Sequence, residues 1–152
     1  MKPIRLLLIA GLVPLVCTAE DKCPWLNAAT AAGFLGGAVK PNVTPTACEF
    51  VRQEESSDWV LRIEVETMIA PAEFASRMAQ CRAGAEPLKA IGNEAVACSH
   101  SEKKGQIAEQ VAGRVRNQAF LVRVATSDRS ASAKELREKA RKVAEQVAGF
   151  LF

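Results

Sequence analysis

The sequence predicts an α+β fold, in which helices pack on a largely antiparallel five-stranded sheet and disulfides hold the layers together. Three observations carry this. Trp59, Leu61, Ile63 and Val65 alternate with Val60, Arg62, Glu64 and Glu66, the period of a strand with one apolar and one mostly polar face. Gln106 to Thr126 reads as a hairpin bent at Asn117-Gln118. From Ser132 onward, Leu136, Ala140, Val143, Val147 and Leu151 form an apolar stripe at helical spacing.

The other elements follow from local chemistry. Pro24 to Leu35 is alanine-rich, with Pro24 suited to a first helical position and Gly36-Gly37 to a stop. The stretch AVKPNVTPTA carries Pro41 and Pro45 and reads as a loop. Within it, Asn42-Val43-Thr44 fits a glycosylation sequon, relevant only in a host that modifies such sites. Cys48 to Gln53 is a short strand, and Glu54 to Asp58 turns the chain. Pro71 to Arg82 is a helix with Phe74, Met78 and Cys81 on one face. Gly92-Asn93-Glu94 reads as a bend leading into the strand Ala95 to Cys98, since Gly takes positive φ freely and Asn tolerates it. HSEKKG is a polar turn. In the hairpin register that sets Val115 against Phe120 and Val111 against Val124, Arg114, Arg116 and Arg123 share the opposite face. Ser132 and Glu135 have the spacing of a capping box for the final helix, whose outer side pairs Glu135 with Lys139 and Glu138 with Lys142.

The N-terminus bears on compartment. Lys2 and Arg5 precede an apolar run from Ile4 to Val16, and Cys17-Thr18-Ala19 follows. This is the order of a secretory signal peptide, and the run is shorter than the roughly 20 residues of a membrane-spanning helix. Residues 1–19 are therefore read as a signal peptide and residues 20–152 as a single domain, secreted or periplasmic. The alternative is a lipoprotein anchored at Cys17. Removing Lys2 and Arg5 lowers Lys+Arg from 20 to 18 against 17 acidic residues, so the net charge falls from +3 to +1. A chain this close to neutral lacks the basic footprint of a nucleic-acid binder.

Cys23, Cys48, Cys81 and Cys98 remain after cleavage, an even set in an exported chain. No Cys-x-x-Cys is present to signal a redox centre or a zinc knuckle. Four cysteines allow three connectivities. The element order favours Cys23–Cys48 and Cys81–Cys98, because each of these pairs would staple a helix to the sheet.

Candidate chemistry is sparse. Arg62, Arg114, Arg116 and Arg123 are the candidate binding residues, because converging guanidiniums grip carboxylate or phosphate. The competing reading neutralises them across strands with Glu64, Glu66 and Glu109. His100 is the single histidine and cannot supply a metal site alone, and no Gly-x-Ser-x-Gly elbow exists. No metal and no cofactor are expected, and His100 reads as a solvated loop residue.

CPWLNAATAAGFLGG, a second cysteine heading the first strand, the L-x-I-x-V strand, PLKAIGNEAVAC, the GRVRNQAFLVRVATSD hairpin and a closing amphipathic helix follow in series. The series resembles small exported bacterial proteins of the PsbP-like fold, many of them uncharacterised lipoproteins. In those families the first helix ends in Leu-Gly, matched by Leu35-Gly36. A Gly-Leu-Gly-Asp-x-Ala-like turn enters the middle strand, matched by Ala90-Ile91-Gly92-Asn93-Glu94-Ala95. The chain departs at Ala90, at Asn93 and in its second cysteine pair. The resemblance implies packed sheet and helices without a shared catalytic apparatus, in binding or assembly modules. Fold analogy does not itself transfer a function. The expectation is a non-enzymatic exported domain binding a protein partner or a small anion. Its rivals are a small envelope hydrolase or transferase using Glu64, Glu66 or His100, and a structural subunit with a sticky Phe150-Leu151-Phe152 tail.

Overall fold

The computed structural model describes residues 22–53, 57–79, 81, 84–100 and 105–152. The expected signal peptide, Cys17, residues 54–56 of the expected Glu54–Asp58 turn, Arg82 and most of the HSEKKG turn lie outside the described residues. Ten elements run in order: α1 (Ala28–Leu35), β1 (Lys40–Val43), β2 (Ala47–Gln53), β3 (Asp58–Thr67), α2 (Pro71–Met78), β4 (Glu86–Leu88), β5 (Glu94–His100), β6 (Ile107–Val115), β7 (Gln118–Thr126) and α3 (Ala133–Leu151). The strands form one sheet in the order β1-β2-β3-β7-β6-β5-β4, with every neighbouring pair antiparallel.

The sheet therefore has seven strands rather than five. The two extra strands are its edges, and each contains a proline, Pro41 in β1 and Pro87 in β4. Proline lacks the N–H that a central strand must donate, but an edge strand pairs on one side only and tolerates it. Pro41 thus sits in a paired edge strand, opposite Phe50, and not in a loop. In α1, Asn27 rather than Pro24 begins the helix: its side chain accepts from the Thr30 N–H at 2.8 Å. Gly36, at φ +77°, ends the helix as expected.

One face of the sheet carries the main core. Phe50, Leu61, Ile63, Val111, Phe120 and Val122 pack with α1 and with Leu136, Ala140, Val143 and Val147 of α3. The ring of Phe120 lies over Gly113, its cross-strand partner; a Cβ on Gly113 would sit 2.2 Å from that ring. At one edge of this core Arg52 and Lys139 each lie 5.5 Å from the centre of the Trp59 ring. Arg52 donates to the Leu35 carbonyl, and Lys139 to that of Phe34 at 2.8 Å. Two cations thus close the C-terminus of α1, where carbonyls are left without helical partners.

The opposite face is only partly covered. There α2 seats Phe74 against Met68 and Ala119, with Met78 beside them. Both expected disulfides are present, Cys23–Cys48 and Cys81–Cys98. By strand alternation Cys48 faces the core with Phe50, whereas Cys98 faces away from its buried neighbour Ala97. Each bridge ties the chain flanking a helix, before α1 at Cys23 and after α2 at Cys81, to a different side of the sheet.

Two expectations are corrected inside the hairpin. Its turn is Arg116-Asn117, with Val115 opposite Gln118, Gly113 opposite Phe120 and Val111 opposite Val122. That register differs from the expected one by two residues, so the faces are kept. Glu109 does not neutralise the hairpin arginines. It lies on the core side, 1% exposed, where Arg137 of α3 meets it at 2.8 Å and the Ser99 hydroxyl donates to it at 2.6 Å.

The bend before β5 is built by backbone geometry. Ala90 and Gly92 have φ of 64° and 62°, and a Cβ on Gly92 would lie 2.4 Å from the Arg114 carbonyl oxygen. Asn93 ties the bend to the hairpin: its N–H donates to Arg114 O at 2.7 Å, and its Oδ1 accepts from Arg116 N at 2.6 Å.

Removing Arg137 would leave a buried carboxylate without its cation. Arg137→Met should destabilise the protein by about 3 kcal/mol in urea unfolding, and Glu109→Leu added to it should recover most of that loss. Additive costs would mean that the pair is not coupled. At the bend, left-handed backbone costs an L-residue roughly 1–2 kcal/mol, while glycine's extra unfolded-state freedom returns about 0.4–1 kcal/mol. Ala90→Gly should therefore stabilise by about 0.5–1 kcal/mol, read as a raised urea midpoint at constant slope.

Candidate functional site

The partly covered face displays a row of polar residues set by register. Asn42 on β1 lies opposite Glu49 on β2, Glu49 opposite Arg62 on β3, and Arg62 opposite Arg123 on β7. The row continues from Arg123 to Gln110 on β6 and from Gln110 to Cys98 on β5. Two guanidiniums thus stand side by side on the inner strands β3 and β7.

Carboxylates flank them. Arg62 Nε donates to Glu64 at 2.6 Å, and its Nη1 lies 3.6 Å from Glu49. The hydrogen bond to Glu64 is the main cause holding the Arg62 pKa above its ordinary value; burial opposes it and Glu49 adds to it. Arg123 is shifted the other way. Burial lowers its pKa, Glu64 partly offsets this, and the neighbouring charge of Arg62 lowers it further. A guanidinium stays protonated regardless, so the lowering registers an environment unfavourable to its charge.

Gln110 anchors Arg123 from below. It is 1% exposed and accepts from Arg123 Nε and Nη2 at 3.3 and 3.2 Å. Arginine can only donate, so the amide oxygen must face it. The Gln110 Nε2 is thereby turned toward the Cys98 and Cys81 sulfurs, at 3.3 and 3.6 Å.

Two concavities open on this face and share Glu64 and Arg123. One, of about 470 Å³, is lined by Glu49, Val60, Arg62, Gln106 and Ala125 besides these two. The other, of about 540 Å³, adds Glu66, Glu73, Ser76 and Arg77 from β3 and α2. Glu66 there is paired with Arg77.

The four expected arginines do not converge on one place. Arg62 and Arg123 do. Arg114 projects on the same face but lies opposite Ala119, toward the end of the sheet, where it meets Glu94 at 3.8 Å and donates to the Arg116 carbonyl at 3.1 Å. Arg116 occupies the turn at φ 54°, a conformation demanded at the first position of primed hairpin turns, so it leaves the face altogether. Both instead line a small hollow of about 170 Å³ with Met68, Ile69 and Asn117. His100 is not in a loop. It ends β5, partly buried, on the side of the sheet shared with Cys98. Gln110 and Glu49 were missed, although the alternation Ala108, Gln110, Ala112, Arg114 places Gln110 on the arginine face.

No protein-family model, no curated protein and no solved structure matches the chain. Among the described residues no group of three or more His, Cys, Asp or Glu side chains is arranged to hold a metal ion. No described helix is long and apolar enough to cross a membrane.

Burial lowers the His100 pKa below the ordinary 6.5, and the charge of Arg123 adds to the lowering. Just below the unfolded value the unfolded chain is therefore protonated while the folded chain is not. The resulting stability is complete above the unfolded pKa and is lost as pH falls through the lowered folded one. His100→Gln should flatten the fall in unfolding free energy as pH drops below the ordinary imidazole value, measured by urea titration at each pH. An unchanged slope would remove the imidazole from the account.

Proposed function

We propose that this chain is an exported, non-enzymatic binding module that takes an anionic group on its open sheet face, at Arg62 and Arg123. One observation carries the reading: two guanidiniums sit directly opposite each other on neighbouring inner strands, beside a concavity of about 470 Å³ that both line. Like charges placed opposite on a sheet are unfavourable for folding. Such placements cluster where a ligand or partner relieves them. The two disulfides support a secreted or periplasmic setting, because such bridges persist in oxidising compartments.

The PsbP-like kinship belongs to the same proposal. It is supported by the single antiparallel sheet with helices on it, and by positive φ at Ala90 and Gly92, where the resembling families carry glycine. The hydrolase reading draws less support, since Glu64 is engaged by Arg62 and Glu66 by Arg77. A second reading, an assembly subunit, rests on Phe150 and Phe152, which remain 62% and 61% exposed at the end of α3.

Inorganic phosphate and acetate serve as probes, titrated at low salt and followed by NMR chemical shifts. Charge-assisted hydrogen bonds contribute about 1.5–3 kcal/mol, so Arg123→Gln should weaken binding by about tenfold or more. Arg114→Gln should leave it unchanged. Absence of binding to the wild-type protein, or equal losses in the two variants, would overturn the assignment. If Phe150→Ser with Phe152→Ser instead dissolves an oligomer while anions fail to bind, the assembly reading replaces it.

A further inference from the structure

We infer that the ligand of this face is a small zwitterion, an amino acid whose carboxylate meets Arg62 and Arg123 and whose ammonium meets Glu49 and Glu64. The inference rests on the anion-binding reading above and narrows it to a ligand class. Its basis is the charge inventory of the concavity. Among the described lining residues Arg62 and Arg123 are matched by Glu49 and Glu64, so these four side chains carry both signs in equal number. A bare anion approaching Arg62 must also approach the carboxylates 2.6 and 3.6 Å from it. A zwitterion brings no net charge and offers each side chain a partner of opposite sign.

Glu49 has acceptor capacity in hand. Its ion pair with Arg62, at 3.6 Å, is longer than a hydrogen bond, and a carboxylate accepts about four. Its side chain is 32% exposed, against 25% for Glu64, so an ammonium can reach both. Beside the arginine pair, on the side away from Glu64, the wall is aliphatic, formed by the opposed residues Val60 and Ala125, which suits a short apolar side chain. The volume, about 470 Å³, lies at the small end of ligand sites, which run from about 300 to 1,000 Å³.

Three probes of one shape separate the possibilities: L-valine, 3-methylbutanoate, which lacks its amine, and isobutylamine, which lacks its carboxylate. Each is titrated into the oxidised exported chain and followed by NMR. L-Valine should bind at least about tenfold more tightly than either fragment. Glu49→Gln with Glu64→Gln should reduce valine to the affinity of 3-methylbutanoate, and Arg123→Gln should weaken both. Thermal unfolding of each variant reports whether the fold is kept, and the amides preserve side-chain shape. If 3-methylbutanoate binds as tightly as valine through Arg123, the zwitterion is overturned while the anion-binding reading stands. If isobutylamine binds most tightly, or none of the three binds, both fall.

Discussion

A buried carboxylate governs how this chain is layered. Glu109 lies on the core side of β6, among residues that otherwise exclude water, and a charge there is tolerated only when paired and hydrogen-bonded. Arg137 supplies the cation and Ser99 a hydroxyl, and the guanidinium also reaches Glu86 at 3.3 Å. The requirement fixes α3 in height and rotation against β4, β5 and β6. Once α3 is fixed, Leu136, Ala140, Val143 and Val147 have one place to go. Three of the four alanines of α3, Ala140, Ala144 and Ala148, are buried and let the helix lie close to the sheet. A core with eight aromatics in the full sequence gains from such close approach what it lacks in bulk.

The other face follows by exclusion. With α1 and α3 on one side, polar residues at alternate strand positions must point to the other, and α2 covers only part of them. The Cys81–Cys98 bridge holds the end of α2 at that face, while Cys23–Cys48 holds the approach to α1 at the core face. Neither staple crosses the sheet. The polar row is left accessible on strands that are anchored from behind by the whole core, the condition under which charged side chains hold fixed positions.

How much of this was legible in the sequence depended on which physical rule was local. The alternation from Trp59 to Val65, the Ser132 cap and the disulfide pairing each follow from neighbouring residues, and each was readable. The edge strands were not, because Pro41 and Pro87 send the same signal in a loop as in a strand with one unpaired side. The hairpin register was misread by two residues, since hydrophobic alternation fixes the face but not the pairing; only the positive φ of Arg116 distinguishes the turn. Glu109 was assigned to the wrong side for a more general reason. Its buried position is paid for by Arg137, a partner 28 residues away, and no local pattern announces that partner. Of the four candidate arginines, Arg62 and Arg123 came together because both obey strand alternation on adjacent strands. Arg116 departed because a turn, not a strand, owns its backbone.

The same reasoning explains why Arg123, rather than the more exposed Arg62, is the centre of the open face. Arg62 is held by carboxylates on its own and the adjoining strand. Arg123 feels Glu64 as well as that cationic neighbour, and it is seated on a buried amide whose orientation is already determined: its oxygen serves the guanidinium and its NH2 faces the disulfide. Gln110 therefore connects the anchoring of α2 to the placement of Arg123. The guanidinium can turn little without losing both contacts to that oxygen. A charge so confined and partly desolvated gains less from its surroundings than one in water. The two concavities of this face share Arg123 and Glu64, a cation and an anion, so neutralising either residue alters the charge of both.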